Sequence, residues 1–414
     1  TLLVGSMDYD SDIEIGGSSG TFRLMGTAYE SDVSINGNSS SFYAGGLYYS
    51  DVEIDGNAPV LLVPGPAVEV EFDVTGDVNQ IQVGMLREGT EFDVGGDLGR
   101  LVVGRATHMG YIEVGGSADF ISIGAAGGGI DGDSNTVYVG DDGGGDLGTF
   151  IIGPITEFYV NVYSDSSGAM GNVTGGITVR GGVSDLEVDA EGRVSRLSVL
   201  GHCDDGDFEA DDGFGSIVVS GAMTNSEIYS RQWDGATGDP IGGGVDMLRA
   251  TDLEDVDIDL HGSLGVVSLR GSMYDVDIDL RGTNSMTSNL VDGGGIGLLT
   301  ARAMHETSIS TFGSIDRVVL GGGGVGSESS IETFDPTTGD LGLLSTRGLV
   351  FGDIKTAGNV GSIFSAGRLA AVPLGAMPSP LDSSSLVDRL FVDADGMVIR
   401  GTLAVDGTIT GTIS

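Results

Sequence analysis

One strand pattern returns about every twenty residues along most of this 414-residue chain. Asp12-Ile13-Glu14-Ile15-Gly16-Gly17 recurs as Asp32-Val33-Ser34-Ile35-Asn36-Gly37 and as Asp51-Val52-Glu53-Ile54-Asp55-Gly56. Glu71-Phe72-Asp73-Val74 recurs as Glu91-Phe92-Asp93-Val94 and Tyr111-Ile112-Glu113-Val114, and the run Asp255 to Leu260 repeats unchanged at Asp275 to Leu280. A unit this short cannot bury its apolar residues alone; it does so by stacking on its neighbours, as in a solenoid. Function is then to be sought on a long repetitive surface and at two ends, not in one pocket.

Each period holds two strand signals. The first type, Asp-Ile-Glu-Ile, alternates apolar and polar residues as a half-buried strand does. The second reads Asp97-Leu98-Gly99-Arg100-Leu101-Val102-Val103-Gly104, echoed at Ser117 to Gly124 and Asp146 to Gly153. Strands this short pair in parallel with their equivalents in the next coil, while corner glycines supply positive φ. The expected fold is all-β: a right-handed parallel β-solenoid (β-helix) over residues 1–368, with a short β-rich C-terminal tail over 369–414. About twenty coils at roughly 4.8 Å spacing predict a length on the order of 95 Å. Irregular stretches at 125–135, 231–244, 282–295 and 334–340 are expected to leave the coils as loops, and the Pro-rich run 372–380 breaks the pattern before the tail.

The balance of 61 acidic against 18 basic residues gives a net charge of −43, which argues against nucleic acid and anionic membrane as partners. Asp-rich surfaces in which Lys355 is the only lysine fit a saline or extracellular setting. Cys203 is the only cysteine, so no internal disulfide or thiolate cluster forms. No apolar run has the length of a membrane span, so no membrane insertion is expected. The opening Thr1-Leu2-Leu3-Val4-Gly5 already reads as repeat, as in a processed or excised piece of something longer.

The first strand type turns an acid outward in each coil: Glu14, Glu53, Asp73, Asp93, Glu113, Glu187, Asp257 and Asp277. Stacked in register, such neighbours repel by up to about 1 kcal/mol per pair in water, less in salt. Calcium would relieve that repulsion; a solvated face that keeps coils from sticking laterally is the plainer reading. Asp8, Asp10 and Asp12, and again Asp131, Asp133 and Asn135, place oxygen ligands at every second position, as the first half of a calcium loop does. Ordinary Asp-Gly turns explain the same residues. Trp233 beside Arg231 is a candidate glycan contact, or the cover of its own loop. His202, Cys203 and Asp204 form a possible metal trio or an incidental corner. His108, His202, His261 and His305 show no catalytic spacing, so no enzyme is expected. Arg180-Gly181, Arg270-Gly271 and Arg347-Gly348 end strands where pairing with neighbouring acids is expected.

The run Gly95-Gly96-Asp97-Leu98-Gly99-Arg100-Leu101-Val102-Val103-Gly104 resembles the repeats of large secreted bacterial β-solenoid proteins of the adhesin and surface-fibre kind, over residues 1–368. The resemblance implies architecture and an extracellular or cell-surface location, and assigns no functional residue. Coil edges without a visible cap point to head-to-tail stacking of copies, hence to a filament subunit whose partner is itself, with the tail over 369–414 either docking on the next subunit or folding back as a cap. An adhesin gripping surface glycans through loops around Trp233 and Asn284 is the alternative, and a polysaccharide lyase or hydrolase the third.

Overall fold

The computed structural model describes residues 1–126, 135–141, 144–164, 170–230, 243–280, 282–283, 290–291, 294–326, 328–348, 350 and 352–365, and from the tail the strands 369–370, 391–393, 398–399 and 403–405. All regular structure among them is β, and no helix there is long and apolar enough to cross a membrane. The chain forms a parallel β-solenoid divided into two compact units: Thr1–Gly201 with Asp207–Ala210, and His202–Gly206 with Asp211–Ser414.

In the first unit both predicted strand types stack in parallel, one residue over its equivalent. On the second-type side Phe22, Phe42, Leu61, Ile81, Leu101, Ile121, Phe150, Ile177 and Leu197 form one inward file. On the first-type side Val33, Val52, Phe72, Phe92 and Ile112 form another. Phe72 lies flat against Phe92, with ring centroids 4.6 Å apart and planes 3° from parallel. Full burial of such a side chain contributes about 1.5–3 kcal/mol, and nearly every coil supplies one per file.

A third, short side was not legible in the period. Ala28, Leu47, Ala67, Leu86 and Ala106 stack there in register. Small and large residues alternate, so the narrowest part of the interior fills without overpacking. The turn from this side into the first-type side holds a non-glycine residue in left-handed conformation in each coil, joined by Tyr9 in the first and by Gly89 in the fifth. Asp10, Glu30, Tyr49, Glu69, Glu88 and His108 hold φ of 56°, 48°, 53°, 49°, 48° and 53°. The expectation that glycine turns the corners is therefore corrected here: a single left-handed residue costs roughly 1–2 kcal/mol, and the ladders on both sides hold it in place.

The repeated glycines serve another purpose. At Gly45, Gly65, Gly84, Gly104 and Gly124 an added Cβ would fall 2.4, 2.1, 2.1, 2.5 and 2.0 Å from a backbone oxygen of the preceding coil. Their φ values lie outside the left-handed region. Glycine is needed because two backbones approach at that corner, not because of its dihedral freedom.

The second unit repeats the plan. Ile228, Ile258, Ile278, Ile309, Ile331 and Ile354 form a first-type file of isoleucines. Of the tail, Leu369–Ala370, Phe391–Asp393 and Val398–Ile399 make a small antiparallel sheet of their own. Leu403–Val405 instead rejoins the solenoid, pairing in parallel with Asp353–Thr356 so that Leu403 takes the register position after Ile354. The tail is thus not wholly a separate element.

Candidate functional surfaces

The outward positions of the coils divide into three kinds. One kind is structural. Oδ1 of Asn38 accepts the backbone N–H of Asn57, Asn57 that of Asp77, Asp77 that of Asp97, and Asp97 that of Ser117, at 2.8, 3.0, 3.0 and 2.9 Å. The ladder continues from Asp146 to Asn172 and from Asn172 to Arg193 at 2.9 Å each. The preceding glycines belong to the same device: a Cβ on Gly76, Gly96 or Gly116 would lie 2.1, 2.4 or 2.4 Å from the accepting oxygen of Asn57, Asp77 or Asp97. Gly-Gly-Asp is thus one unit, in which each coil clears room for the side chain of the coil before it. Asp97→Ala is expected to cost about 1 kcal/mol by stranding the Ser117 N–H, whereas Asp97→Asn keeps the acceptor and should be near neutral. Chemical denaturation of the two variants checks this, and equal losses would show that charge, not the hydrogen bond, matters.

The second kind of position lies on the first-type side, where two outward files run side by side. One contains Asp51, Glu71 and Glu91. The other contains Glu14, Ser34, Glu53, Asp73, Asp93 and Glu113. Beyond Glu113 the charge is interrupted by Tyr138 and Asn161 before Asp189. Glu187 falls in the neighbouring file, beyond Tyr111, Thr136 and Tyr159, so the expected single column is two. Burial, then Asp51, Glu91, Asp73 and Asp93, raise the Glu71 carboxyl above its ordinary range. Burial and Asp32 raise Asp51, and burial, Glu191 and Asp207 raise Asp189. These groups take up protons on folding, so the stability they confer is present at low pH and is lost as pH rises through their folded pKa values. Asp204 and Asp335 have the opposite sign. Hydrogen bonds from Thr224 and Asn225 lower the first, and from Thr338 and Thr337 the second, so their contribution is lost only as pH falls through their folded values. The thermal midpoint should therefore rise as pH is lowered from neutrality toward the carboxylate range, then fall, with the rise shrinking in high salt. A midpoint flat across that range would show that the files do not strain the fold.

The second-type side is the third kind, and two of its outward files carry no carboxylate. In the first unit those files read Thr21, Ser41, Val60, Gln80, Arg100, Phe120, Thr149 and Arg23, Tyr43, Leu62, Gln82, Val102, Ser122, Ile151. In the second unit they read Ser216, Met247, Val266, Leu298, Arg317, Leu343, Ser362 and Val218, Arg249, Ser268, Thr300, Val319, Ser345, Phe364. Asp119, Asp246 and Asp316 stand one residue earlier, exposed as the second residue of their strands on this same side. Arg23 stacks over the Tyr43 ring at 4.8 Å and Arg100 over Phe120 at 5.0 Å.

Of the candidate site residues, Asp8, Asp10 and Asp12 are exposed at the first corner, and among the described residues no group of three His, Cys, Asp or Glu converges to hold a metal ion. Asn135 is fully buried; its Oδ1 accepts the Met109 N–H and its Nδ2 donates to the Glu157 carbonyl, both at 3.0 Å. That amide holds adjacent coils together. Asp131, Asp133, Arg231, Trp233 and Asn284 lie outside the described residues. The His202–Asp204 corner is already engaged: His202 Nδ1 accepts the Ala222 N–H at 3.2 Å, Asp204 accepts from Thr224 and Asn225, and burial pushes the Cys203 thiol up to about 12. Arg180, Arg270 and Arg347 are exposed and make no ion pair with described residues, whereas Lys355 pairs with Glu332 of the preceding coil at 2.5 Å. No protein-family model matches the chain, and neither a curated protein nor a solved structure shows significant similarity to it.

Proposed function

We propose that the chain is a structural protein, a segment of an extracellular or surface fibre that lengthens by adding β-coils end to end. The observation that carries this reading is the return of Leu403–Val405 to the ladder. Its partner strand, Asp353–Thr356, receives it from a distant part of the chain, with 366–368 and most of 371–402 intervening. A coil edge here accepts a strand that is not its covalent successor, because unpaired N–H and C=O groups specify only spacing and direction. A coil from another copy presents the same groups at the same spacing, and such a head-to-tail contact is heterologous and so gives an open filament. The files on the first-type side repel a second copy that approaches from that flank.

Electron microscopy of the purified chain over a concentration series at physiological salt tests this. Particles should lengthen with concentration, and Ala404→Pro, which removes an N–H from the returning strand, should change the length distribution. Particles of one constant length at every concentration would sink the proposal.

A further inference from the structure

A chain with 61 acidic residues keeps them out of two outward files of its second-type side, and in the first unit Asp119 alone among the described strand residues stands beside those files. The files hold Arg, Tyr, Phe, Met, Val, Leu and small hydroxyl residues instead. Depletion of Asp and Glu together with enrichment of Arg, Met and aromatics is the compositional mark of the centre of a protein–protein interface. We propose that this flank docks a second copy of the chain, the two second-type sides lying face to face about a two-fold axis.

Charge selects the occupant. Every copy carries a net charge of −43, and two first-type sides facing each other would set carboxylate files in opposition. The second-type side is the approach on which copies meet without that penalty. Burying a carboxylate without a partner is costly, whereas half-exposed Leu62, Val102 and Ile151 gain by leaving water. Arg23 and Arg100 sit over aromatic rings, a contact that does not use up the five N–H donors of a guanidinium. The Ser, Thr and Gln positions of the facing copy supply acceptors for them.

Size is sufficient as well. The side spans ten stacked strands in the first unit, from Leu2–Val4 to Leu197–Val199. At about 4.8 Å per coil and 3.3 Å per residue it measures roughly 40 by 20 Å. That matches the ~800 Å² each partner gives to a standard stable interface. A two-fold contact closes on itself, so this pairing yields two-stranded bodies and no sheets. It goes beyond end-to-end growth and does not depend on it: lateral pairing doubles width, and axial stacking changes length only.

Sedimentation velocity of the full chain, with electron microscopy for particle width, tests the inference. The native protein should form a dimer that strengthens with added salt as the overall repulsion is screened. Val102→Glu/Ile151→Glu should weaken the dimer by roughly tenfold or more per carboxylate. Gln82→Glu, isosteric and exposed, should weaken it in the same direction without risk to folding. Ser34→Glu, on the acidic side, should leave it unchanged. A native chain that stays monomeric at every concentration and salt would overturn the proposal, and would mean that another segment or an unlike protein covers this flank. Equal weakening by Ser34→Glu would also overturn it, because the effect would then be one of net charge.

Discussion

Gly124→Ala is expected to be among the most damaging single-atom-group additions the chain can receive, costing at least ~3 kcal/mol. The new Cβ would fall 2.0 Å from the Gly104 carbonyl oxygen and 3.0 Å from its carbon. Both are backbone atoms, so no rotamer change relieves the contact. The coils would have to separate, yet the Gly124 N–H donates to the Val103 carbonyl at 2.9 Å at that same corner. Relief of the clash therefore breaks hydrogen bonds, and the damage passes to the flanking coils. Gly16→Ala is the matched control: nothing lies within 4 Å of its added Cβ, and the change should stay within about 0.5 kcal/mol. Thermal and urea unfolding of both variants decides the matter. Equal stability of the two would show that the glycine column is not set by close approach.

Phe92→Ala should cost about 3–5 kcal/mol. The ring is wholly buried, stacked on Phe72 on one side and followed in the file by Ile112 on the other. Its removal opens a cavity in the middle of a file whose members are spaced by backbone ladders and cannot collapse inward. Because each coil's stability rests on its two neighbours, the defect should also lower cooperativity. The unfolding transition is expected to broaden or split as well as shift. Phe92→Leu, which keeps most of the volume, should lose well under half as much. A sharp, unshifted transition for Phe92→Ala would mean that the coils do not depend on the inward file.

Much of this was legible beforehand because a solenoid writes its contacts at a fixed interval. Phe72 and Phe92 share a file because both stand second in Glu-Phe-Asp-Val, and parallel pairing preserves that position. The corners were less legible. Glu69 and Tyr49 carry no turn signature, and their left-handed φ is imposed by the ladders that meet there, against the residues' own preference. The glycines carried a true signal with the wrong cause attached: Gly104 and Gly124 answer to a neighbouring coil twenty residues away. Among the candidate ligands, Asn135 looked like a calcium oxygen because its sequence neighbours are acidic. Its buried amide instead bridges Met109 and Glu157, residues from the coils on either side.

Period and alternation were enough to establish a parallel solenoid and to set equivalent residues such as Phe72 and Phe92, or Ile258 and Ile278, one over the other. They work because side-chain direction along a strand has a period of two, and because stacking carries each position straight onto its equivalent. Which outward residues share a flank was settled only in three dimensions. A left-handed turn in each coil rotates the chain from the short side to the first-type side, and a bend made by residues such as Glu69 and Tyr49 leaves no trace in a linear repeat. Asp97, Asp93 and Arg100 lie within eight residues of one another, yet the first hydrogen-bonds the next coil, the second joins a repelling file and the third lies in an outward file without acid. The repeat dictated that coils would stack; the angles between their sides decided which faces the stack would turn outward.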